Sequence, residues 1–432
     1  MNLFVTLILI LTSILQLSSA IGFKVSSSIH ECDSIFTKYN LSSCELYWDC
    51  TVRELLRDWK FGINRTLIYK ADFSVFGHTP MWLRILSGKL YCVPIRIHNK
   101  NFRMKIYRAL HYINLLNRIL NEYPNSISEG TEWLSHHSDW VKVPRSKNCP
   151  PVFAVSGDKN YNDVPGIPFM SFSDSISKRE NFAFEKYHQS SSFHHQWRRR
   201  RSSAFFRGAL SDCSTTPSSY RGDLNSCPRA KVVLEAARAQ NKLLSGIKLV
   251  KGNYPFHELT KCSLCQGDKL SGDEFVGELH KHKYLINFAG AGNWSRRMSL
   301  LLRSGGMIVH AESSGYQFYD FGLKPGVHYI PFDPDIGHNG AGNLISRLEW
   351  ARNNDALAEE IAHRSETFGR VCLSERSIDH FVSKLLGTYG ALLRGDFQKL
   401  SIVDLSSCFC GSKGESCKPS KLCKGVINKC WN

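Results

Sequence analysis

A short glycine-bearing segment followed by arginines is the part of this sequence best suited to binding phosphate. Gly290-Ala291-Gly292 follows an apolar run, and Ser295-Arg296-Arg297 opens a stretch of helical composition. The first turn of a helix offers unpaired backbone N–H groups and a positive dipole end, and a guanidinium adds bidentate donors. The pattern therefore predicts a phosphate site. An ordinary tight turn with surface arginines is the alternative, because the third glycine of a dinucleotide fingerprint is missing and Trp294 intervenes.

Strands and helices alternate around this segment. Apolar residues predict a strand at Tyr284–Phe288, a helix at Ser295–Leu302 and a strand at Met307–Val309, which together form a βαβ unit. Further strands are predicted where short apolar runs end in polar or glycine residues, at Glu132–Leu134, Val152–Val155 and Ala204–Gly208. Helical spacing predicts one helix from Phe102 to the Tyr123-Pro124 break and others at Arg229–Leu244, Gly342–Asn353, Asp355–Phe368 and Ser377–Leu393.

The start of the chain indicates a secretory protein. Leu3–Leu17 is apolar and Ser18-Ser19-Ala20 suits cleavage after Ala20, so residues 1–20 are predicted to be a signal peptide, with an uncleaved anchor as the alternative. After cleavage we expect no stable membrane span. Three N-glycosylation sequons, at Asn40, Asn64 and Asn293, agree with passage through the ER or Golgi lumen, or with secretion. Asn293 is predicted to be unmodified.

The 15 cysteines then favour disulfides over thiolate chemistry. Cys32, Cys44 and Cys50 form a cysteine-rich N-terminal lead that we expect to be bridged within itself or to Cys92. A Cys213–Cys227 bridge would close a Ser- and Gly-rich insert. Cys262 and Cys265 have zinc-like spacing, but without a matching second pair a disulfide is favoured. The residues from Cys408 predict a small disulfide-bound C-terminal tail.

A formal net charge of +17 allows either a diphosphate cleft or a polyanion partner, while a lumenal protein is not expected to bind nucleic acid. The densest basic run, Arg198–Arg201, is interpreted as a solvated loop, with a dibasic processing site or a heparin-like patch as alternatives. It ends Ser173–Arg201, which is interpreted as the crossing between two domains.

Ordered blocks of residues resemble glycosyltransferase family 90, the Rumi-like protein O-glucosyltransferases and the fungal capsule-associated xylosyltransferases. The similarity spans roughly residues 134–393. Its blocks are Pro151-Val152-Phe153, Tyr161-Asn162-Asp163, Ala204-Phe205-Phe206-Arg207-Gly208 after Trp197, His282-Lys283-Tyr284-Leu285-Ile286-Asn287, Ser295-Arg296-Arg297 with Ser304-Gly305, and Leu323-Lys324-Pro325-Gly326-Val327-His328-Tyr329-Ile330-Pro331. The last block is the most specific.

The resemblance implies an α/β fold of GT-B type, with two Rossmann-like domains facing a cleft. Their expected bounds are 21–190 on the acceptor side and 191–395 on the nucleotide-sugar side, followed by a cysteine-rich tail at 396–432. The resemblance also implies that the reaction inverts the configuration at the sugar carbon and that it needs no metal or other cofactor. Asp139 falls where the family places its catalytic base; a turn or N-cap role is the alternative, because His136-His137-Ser138 is not the family's usual text.

The residues expected to bind the UDP-sugar donor or its diphosphate follow from the same alignment. Arg297 is preferred over Arg296 for the diphosphate, Arg207 is second, and Arg229 or Arg221 is third. His328 and Tyr329 are expected either to contact the nucleotide or to pack beneath their loop. The full donor set is Arg207, Gly208, Arg229, Gly290, Ser295, Arg297, His328 and Tyr329.

Two positions depart from the family pattern: Ser313–Gln317, and Ala289, where the family has an acidic or basic residue before the glycine of the nucleotide loop. Ser313–Gln317 stands where the family usually has an acidic residue and tryptophan, which weakens any inference about the donor sugar. Asp333-Pro334-Asp335 is an Asp-x-Asp pattern, but a helix- or turn-initiating role is favoured over metal binding.

The sequence therefore predicts an inverting, metal-independent glycosyltransferase that moves glucose or xylose from a UDP-sugar to a hydroxyl of a glycoprotein or glycan. A catalytically inactive lectin or scaffold on the same fold is one alternative. A secreted polyanion-binding protein is the other.

Overall fold

The computed structural model describes residues 41–73, 80–95, 106–138, 143–145, 149–168, 184–185, 193–210, 227–239, 241–252, 254, 256–290, 295–311, 313–334, 342–408, 426 and 429–430. The predicted signal peptide, the predicted base Asp139, and Cys213, Arg221 and Asn293 lie outside these residues. Among the described helices, none is both long enough and apolar enough to cross a bilayer.

The described chain alternates helices and strands, which confirms the predicted α/β class. The helices are α1 Leu41–Leu55, α2 Arg65–Tyr69, α3 Ile106–Glu122, α4 Phe193–Arg199, α5 Pro228–Arg238, α6 His257–Lys261, α7 Gly272–Lys281, α8 Arg296–Leu302, α9 Leu344–Asn353, α10 Asp355–Val371 and α11 Glu375–Leu392. The strands are β1 Ile63–Asn64, β2 Met81–Leu86, β3 Lys89–Val93, β4 Glu132–Ser135, β5 Val152–Ala154, β6 Gly157–Asp158, β7 Asp163–Pro165, β8 Arg201–Gly208, β9 Gly246–Val250, β10 Gln266–Gly267, β11 His282–Asn287, β12 Met307–Ala311, β13 Gly315–Tyr316, β14 Tyr329–Phe332, β15 Leu393–Arg394 and β16 Val403–Asp404.

The C-terminal half is built on a sheet of six parallel strands in the order β10-β9-β8-β11-β12-β14. If β8 is counted as strand 1, the strand order is 3-2-1-4-5-6, that of the doubly wound Rossmann sheet. The sequential order runs outward in opposite directions from β8 and β11, although all the strands are parallel. Alternation along β8 sends neighbouring side chains to opposite faces: Phe205 packs against Phe275 of α7, while Phe206 packs against Phe288. Both faces are covered, which suits strands that are nearly continuous apolar runs.

The N-terminal half has a sheet of mixed direction in the order β16-β3-β2-β4-β5-β7. Only β4, β5 and β7 run parallel. β2 and β3 form a hairpin whose turn residues Ser87 and Gly88 have φ of 49° and 69°, the left-handed values of a two-residue hairpin turn. Such a turn forces antiparallel pairing, so this sheet is only in part the Rossmann-like sheet that was expected.

Elements from the two ends of the chain close the N-terminal half. Helix α11 packs on the N-terminal sheet, where the Phe153 and Tyr389 rings lie 5.1 Å apart, and β15 pairs with β1. Strand β16 extends the same sheet beside β3. The domain bounds stay a prediction, but the chain after about residue 375 lies with the N-terminal sheet.

The disulfides correct the expected pairing of the N-terminal lead. Cys44 bridges Cys372 and Cys92 bridges Cys430, so these bridges join residues 328 and 338 positions apart. Neither is local, because the chain returns to the N-terminal half after α10. The Cys262–Cys265 disulfide is confirmed. Cys227 is disulfide-bonded, but the predicted partner Cys213 lies outside the described residues.

Two local predictions were wrong in detail. The helix predicted to reach Leu244 ends at Arg238 and is followed by a separate 3₁₀ turn at Lys242–Leu244. The basic run after Trp197 is not a solvated loop: it ends α4 and begins β8. Arg200 is buried and donates to the carbonyls of Leu279, His282 and Ser304, while Arg198 and Arg199 are exposed.

Candidate nucleotide-sugar site

The C-terminal sheet has its topological switch point between β8 and β11. In open parallel sheets, ligands bind in the crevice beyond the carboxyl ends of the strands at such a point, because the chains leave the two strands in opposite directions. Here β8 ends at Gly208 and β11 at Asn287. Half-buried Gly290 follows β11 closely. The candidate site is therefore the crevice bounded by these strand ends and by the start of α8.

Arg297 reaches this crevice from the first turn of α8. Ser295 caps the helix, its hydroxyl accepting a hydrogen bond from the Arg297 backbone N–H at 3.2 Å. The Arg297 guanidinium lies 4.7 Å from the centre of the Phe206 ring. A Cβ added to Gly208 would come within 2.4 Å of Arg297 Nη2, so glycine at 208 leaves the guanidinium its place. The structure thus brings Gly208, Ser295 and Arg297 together.

Arg229 lies beside them but is turned toward protein backbone. It is 2% exposed, and its guanidinium donates to the carbonyls of Ala209, Phe288 and Ala289. The guanidinium also lies 5.7 Å from the Phe206 ring centre. Arg229 therefore ties the segment after β8 to the segment after β11. This geometry suits holding the crevice in shape, whereas its predicted contact with the diphosphate stays a prediction.

Arg207 points to the other face of the sheet. It alternates with Phe206 and Gly208 along β8, and its Nη1 lies 3.5 Å from the Asp268 carbonyl. A Cβ on Gly267 would lie 1.3 Å from that Nη1, so the side chain crosses directly over β10. Burial lowers the pKa of Arg207, and the charges of Glu278 and Asp268 partly oppose this. The structure does not bring Arg207 into contact with the Phe206–Arg297 cluster.

His328 and Tyr329 lie at the start of β14. His328 is fully buried, its Nδ1 accepting from the Lys324 N–H at 2.9 Å within a tight turn. Burial lowers the pKa of His328 to about 3, with Arg364 and Lys324 adding to the effect, so the ring is neutral near pH 7. Tyr329 is half-buried, with its ring 5.3 Å from that of His310. His328 packs beneath its loop, whereas the Tyr329 ring packs against His310 of β12.

The described residues that precede Asp139 are buried and held in place. His136 follows β4, and its Nε2 bonds to Asp163 Oδ1. The other oxygen of Asp163 accepts the Val143 N–H at 2.8 Å, and His136 Nδ1 accepts the Ser138 N–H at 3.3 Å. The chain on either side of the predicted base is thus fixed to one buried carboxylate. Asp163 was part of the family-like blocks, but its pairing with His136 was not foreseen.

A contact between the two halves also escaped sequence reasoning. Strand β13, within the Ser313–Gln317 departure, pairs antiparallel with β6 of the N-terminal half. The Tyr316 ring covers Gly157, where a Cβ would lie 2.7 Å from ring carbons. Gly315 and Tyr316 lie where the family usually has an acidic residue and tryptophan, and they form part of the contact between the two halves. Such pairing leaves no local signal, because each strand is two residues long.

Metal-binding arrangements are not found in the described part of the chain, where no group of three or more His, Cys, Asp or Glu side chains could hold an ion. The Asp333 backbone N–H donates to Asn343 Oδ1 at 2.9 Å, while Asp335 lies outside the described residues. Whether the reaction needs a metal stays a prediction.

Comparison with known proteins decides the family. The family model described as glycosyl transferase family 90 matches residues 40–418, most of the chain. The chain belongs to this family. It is similar to human protein O-glucosyltransferase 1, at 26% identity over 362 residues covering 81% of each chain. It is also similar to O-glucosyltransferase rumi of Drosophila melanogaster, at 28% identity over 82% of this chain and 78% of the relative.

Solved structures show a weaker likeness. Anabaena HepE in complex with UDP-glucose matches 51% of this chain and 55% of its own at 10% identity, with a TM-score of 0.29. A glycosyltransferase from Rickettsia africae matches 57% of this chain and 64% of its own at 11% identity, with a TM-score of 0.32. The family-90 assignment therefore rests on the family match and the curated relatives, which make this chain a glycosyltransferase.

Proposed function

We propose that this family-90 glycosyltransferase moves glucose or xylose from a UDP-sugar to a hydroxyl group of a protein or glycan, with inversion and without a metal ion. The observation that carries the proposal is the position of Arg297, at the capped start of α8 and at the switch point of a Rossmann-ordered sheet. The names of the relatives, protein O-glucosyltransferases, support glucose and a protein acceptor.

The chemistry asks little of the protein beyond charge and one base. Asp139 would take the proton of the acceptor hydroxyl as its oxygen attacks the anomeric carbon, while the bond from that carbon to the diphosphate breaks. Negative charge then grows on the departing UDP. Arg297 and the N–H groups at the start of α8 would stabilise that charge, which is the largest contribution such a site makes.

The disulfides support an oxidising compartment for this protein. Two bridges join residues more than 300 positions apart, Cys44–Cys372 and Cys92–Cys430, and a third joins Cys262 and Cys265. Bridges of this kind persist in oxidising surroundings. They support a place in the lumen of the secretory pathway or outside the cell, as the predicted signal peptide does.

Release of UDP from UDP-glucose or UDP-xylose by the purified protein tests the activity, with and without EDTA. We expect release in both conditions and, by proton NMR, β-configured sugar as the first product of an α-configured donor. First appearance of the α-anomer would overturn inversion, and a requirement for added divalent metal would overturn metal independence.

The base assignment has its own test. Asp139→Asn should lower transfer or hydrolysis by at least about 100-fold, because general-base catalysis contributes 10²- to 10⁴-fold. Binding of UDP should remain, since the donor site lies in the other half. Full activity in a normally folded Asp139→Asn protein would show that another group takes the proton.

A non-catalytic role is the second candidate, favoured by the Ser313–Gln317 departure. In this chain that segment pairs with β6, and Tyr316 takes up the space over Gly157. A binding protein on this fold would bind UDP-sugar without releasing UDP. Calorimetric binding in the absence of turnover would favour that function.

A further inference from the structure

Two polar side chains meet at the carboxyl ends of β11 and β12. Asn287 is the last residue of β11, and it is directly opposite His310 in the parallel register. Asn287 Nδ2 and His310 Nδ1 lie 2.9 Å apart. Both residues follow apolar stretches of their strands, at the edge of the sheet where its ligand crevice opens.

The hydrogen bond between Asn287 Nδ2 and His310 Nδ1 leaves two other groups of this pair to be assigned partners, Asn287 Oδ1 and His310 Nε2. With the Asn287 amide in this orientation, Nδ2 donates and His310 Nδ1 accepts, which assigns the proton of the neutral ring to Nε2. Asn287 is 1% exposed, and its Oδ1 has no hydrogen-bond partner among the residues that the structure describes. A buried acceptor left without a donor costs about 1–3 kcal/mol, so such a group calls for an explanation.

We propose that Asn287 and His310 together bind a hydroxyl group of the sugar-nucleotide donor. The hydroxyl accepts from His310 Nε2–H and donates to Asn287 Oδ1. A hydroxyl matches this pair because one oxygen can both donate and accept. The inference rests on the proposed function and deepens it. It assigns Asn287 and His310 to the donor site, in addition to the cluster formed by Phe206, Gly208 and Arg297.

The charge state of His310 suits this role. Burial lowers the pKa of His310 to about 4, partly opposed by a hydrogen bond to the Asn287 backbone, so the ring is neutral at pH 7 and carries a single N–H. The Tyr329 ring meets the His310 ring edge to face at 5.3 Å and limits its rotation. His310 is only partly buried, which leaves part of its surface available to a ligand.

The hydroxyl has two possible sources, the ribose of the nucleotide and the transferred sugar. Titration calorimetry with UDP and with UDP-glucose separates them. His310→Met removes the N–H donor, whereas His310→Gln places an amide N–H near the position of Nε2. Both substitutions are uncharged and of similar size, so they form a matched pair.

We expect His310→Met to weaken binding about 10-fold or more, which is the range for losing one hydrogen bond to a buried site, and His310→Gln to stay within a few-fold of wild type. Weakening toward both ligands assigns the ribose, and weakening toward UDP-glucose alone assigns the transferred sugar. Equal binding of both ligands by wild type and the Met variant would overturn the inference.

Asn287→Leu is a second variant, with the same expected loss of binding. The thermal unfolding midpoint of each unliganded variant shows whether folding is intact; if the Met variant is unfolded, the Asn287→Leu comparison decides. Wild-type protein that binds neither UDP nor UDP-glucose would instead contradict the proposed function, so the two failures are distinguishable.

Discussion

At the scale of single residues, local spacing predicted where Ser295 and Arg297 lie, while their roles in donor binding stay predictions. Ser295 and Arg297 are two positions apart at a helix start, and the structure shows the cap and the guanidinium as that spacing requires. The partners of Asn287 and Arg229 were not predictable, because they depend on which strand lies beside β11. Parallel strands are brought together by long crossovers, so residues 23 and 59 positions apart become neighbours without a local signal.

Arg297 is the residue whose substitution should affect donor binding most. Arg297→Ala should weaken UDP binding by about 10- to 100-fold, because hydrogen bonds to charged groups contribute about 1.5–3 kcal/mol. Arg297→Lys should recover only part of this, since an ammonium cannot make the bidentate contact. Arg296→Ala, in the same helical turn, is the matched control and should bind UDP normally. Titration calorimetry measures all three, and a larger loss for Arg296→Ala would move the site to that residue.

At the scale of elements, apolar periodicity located several strands and helices to within a few residues, but it did not predict α1, β2, β3, β9 or α7. Helix α3, predicted to run from Phe102 to the Tyr123-Pro124 break, is found at Ile106–Glu122. Periodicity failed where tertiary contacts decide, as at Arg198–Arg201. There the run of positive charge predicted an exposed loop. Arg200 is nevertheless buried, because its guanidinium donates hydrogen bonds to three backbone carbonyls.

Arg229 provides a test at the scale of elements, because its guanidinium joins the segments that follow β8 and β11. If Arg229 holds the two segments together, Arg229→Met should lower the free energy of unfolding by about 2–4 kcal/mol, because three carbonyl acceptors lose their donor. UDP binding should weaken as a consequence. Urea denaturation measures the first effect, with the exposed Arg238→Met on the same helix as control. Unchanged stability with weakened UDP binding would instead indicate a direct phosphate contact.

At the scale of the whole molecule, the sequence predicted an α/β protein with a crevice but not how the ends of the chain return. Cysteine spacing alone cannot give connectivity, since many pairings fit the same count. The structure shows Cys372 in contact with α1 and Cys430 in contact with β3, so both bridges secure late segments to the N-terminal half. Besides the Cys44–Cys372 bridge, helix α1 makes two further contacts with late segments. The Tyr47 hydroxyl donates to the Tyr319 carbonyl, and the Trp48 indole N–H donates to the Ser377 hydroxyl.

The Cys44–Cys372 bridge should therefore stabilise the molecule as a whole and not the site in particular. Removing it with Cys44→Ser and Cys372→Ser together should cost about 2–4 kcal/mol, because opening a loop of 328 residues restores freedom chiefly to the unfolded chain. Removing Cys262–Cys265, a bridge across 3 positions, should cost less for the same reason.

Guanidinium denaturation of the two double variants measures both effects, and UDP binding below the transition should be close to wild type in each. Neither bridge involves a residue of the predicted donor set, which is why we expect stability and donor binding to separate. A loss of UDP affinity in the Cys44/Cys372 variant would show that α1 helps to shape the crevice, through the Tyr47 contact with the segment that follows β13.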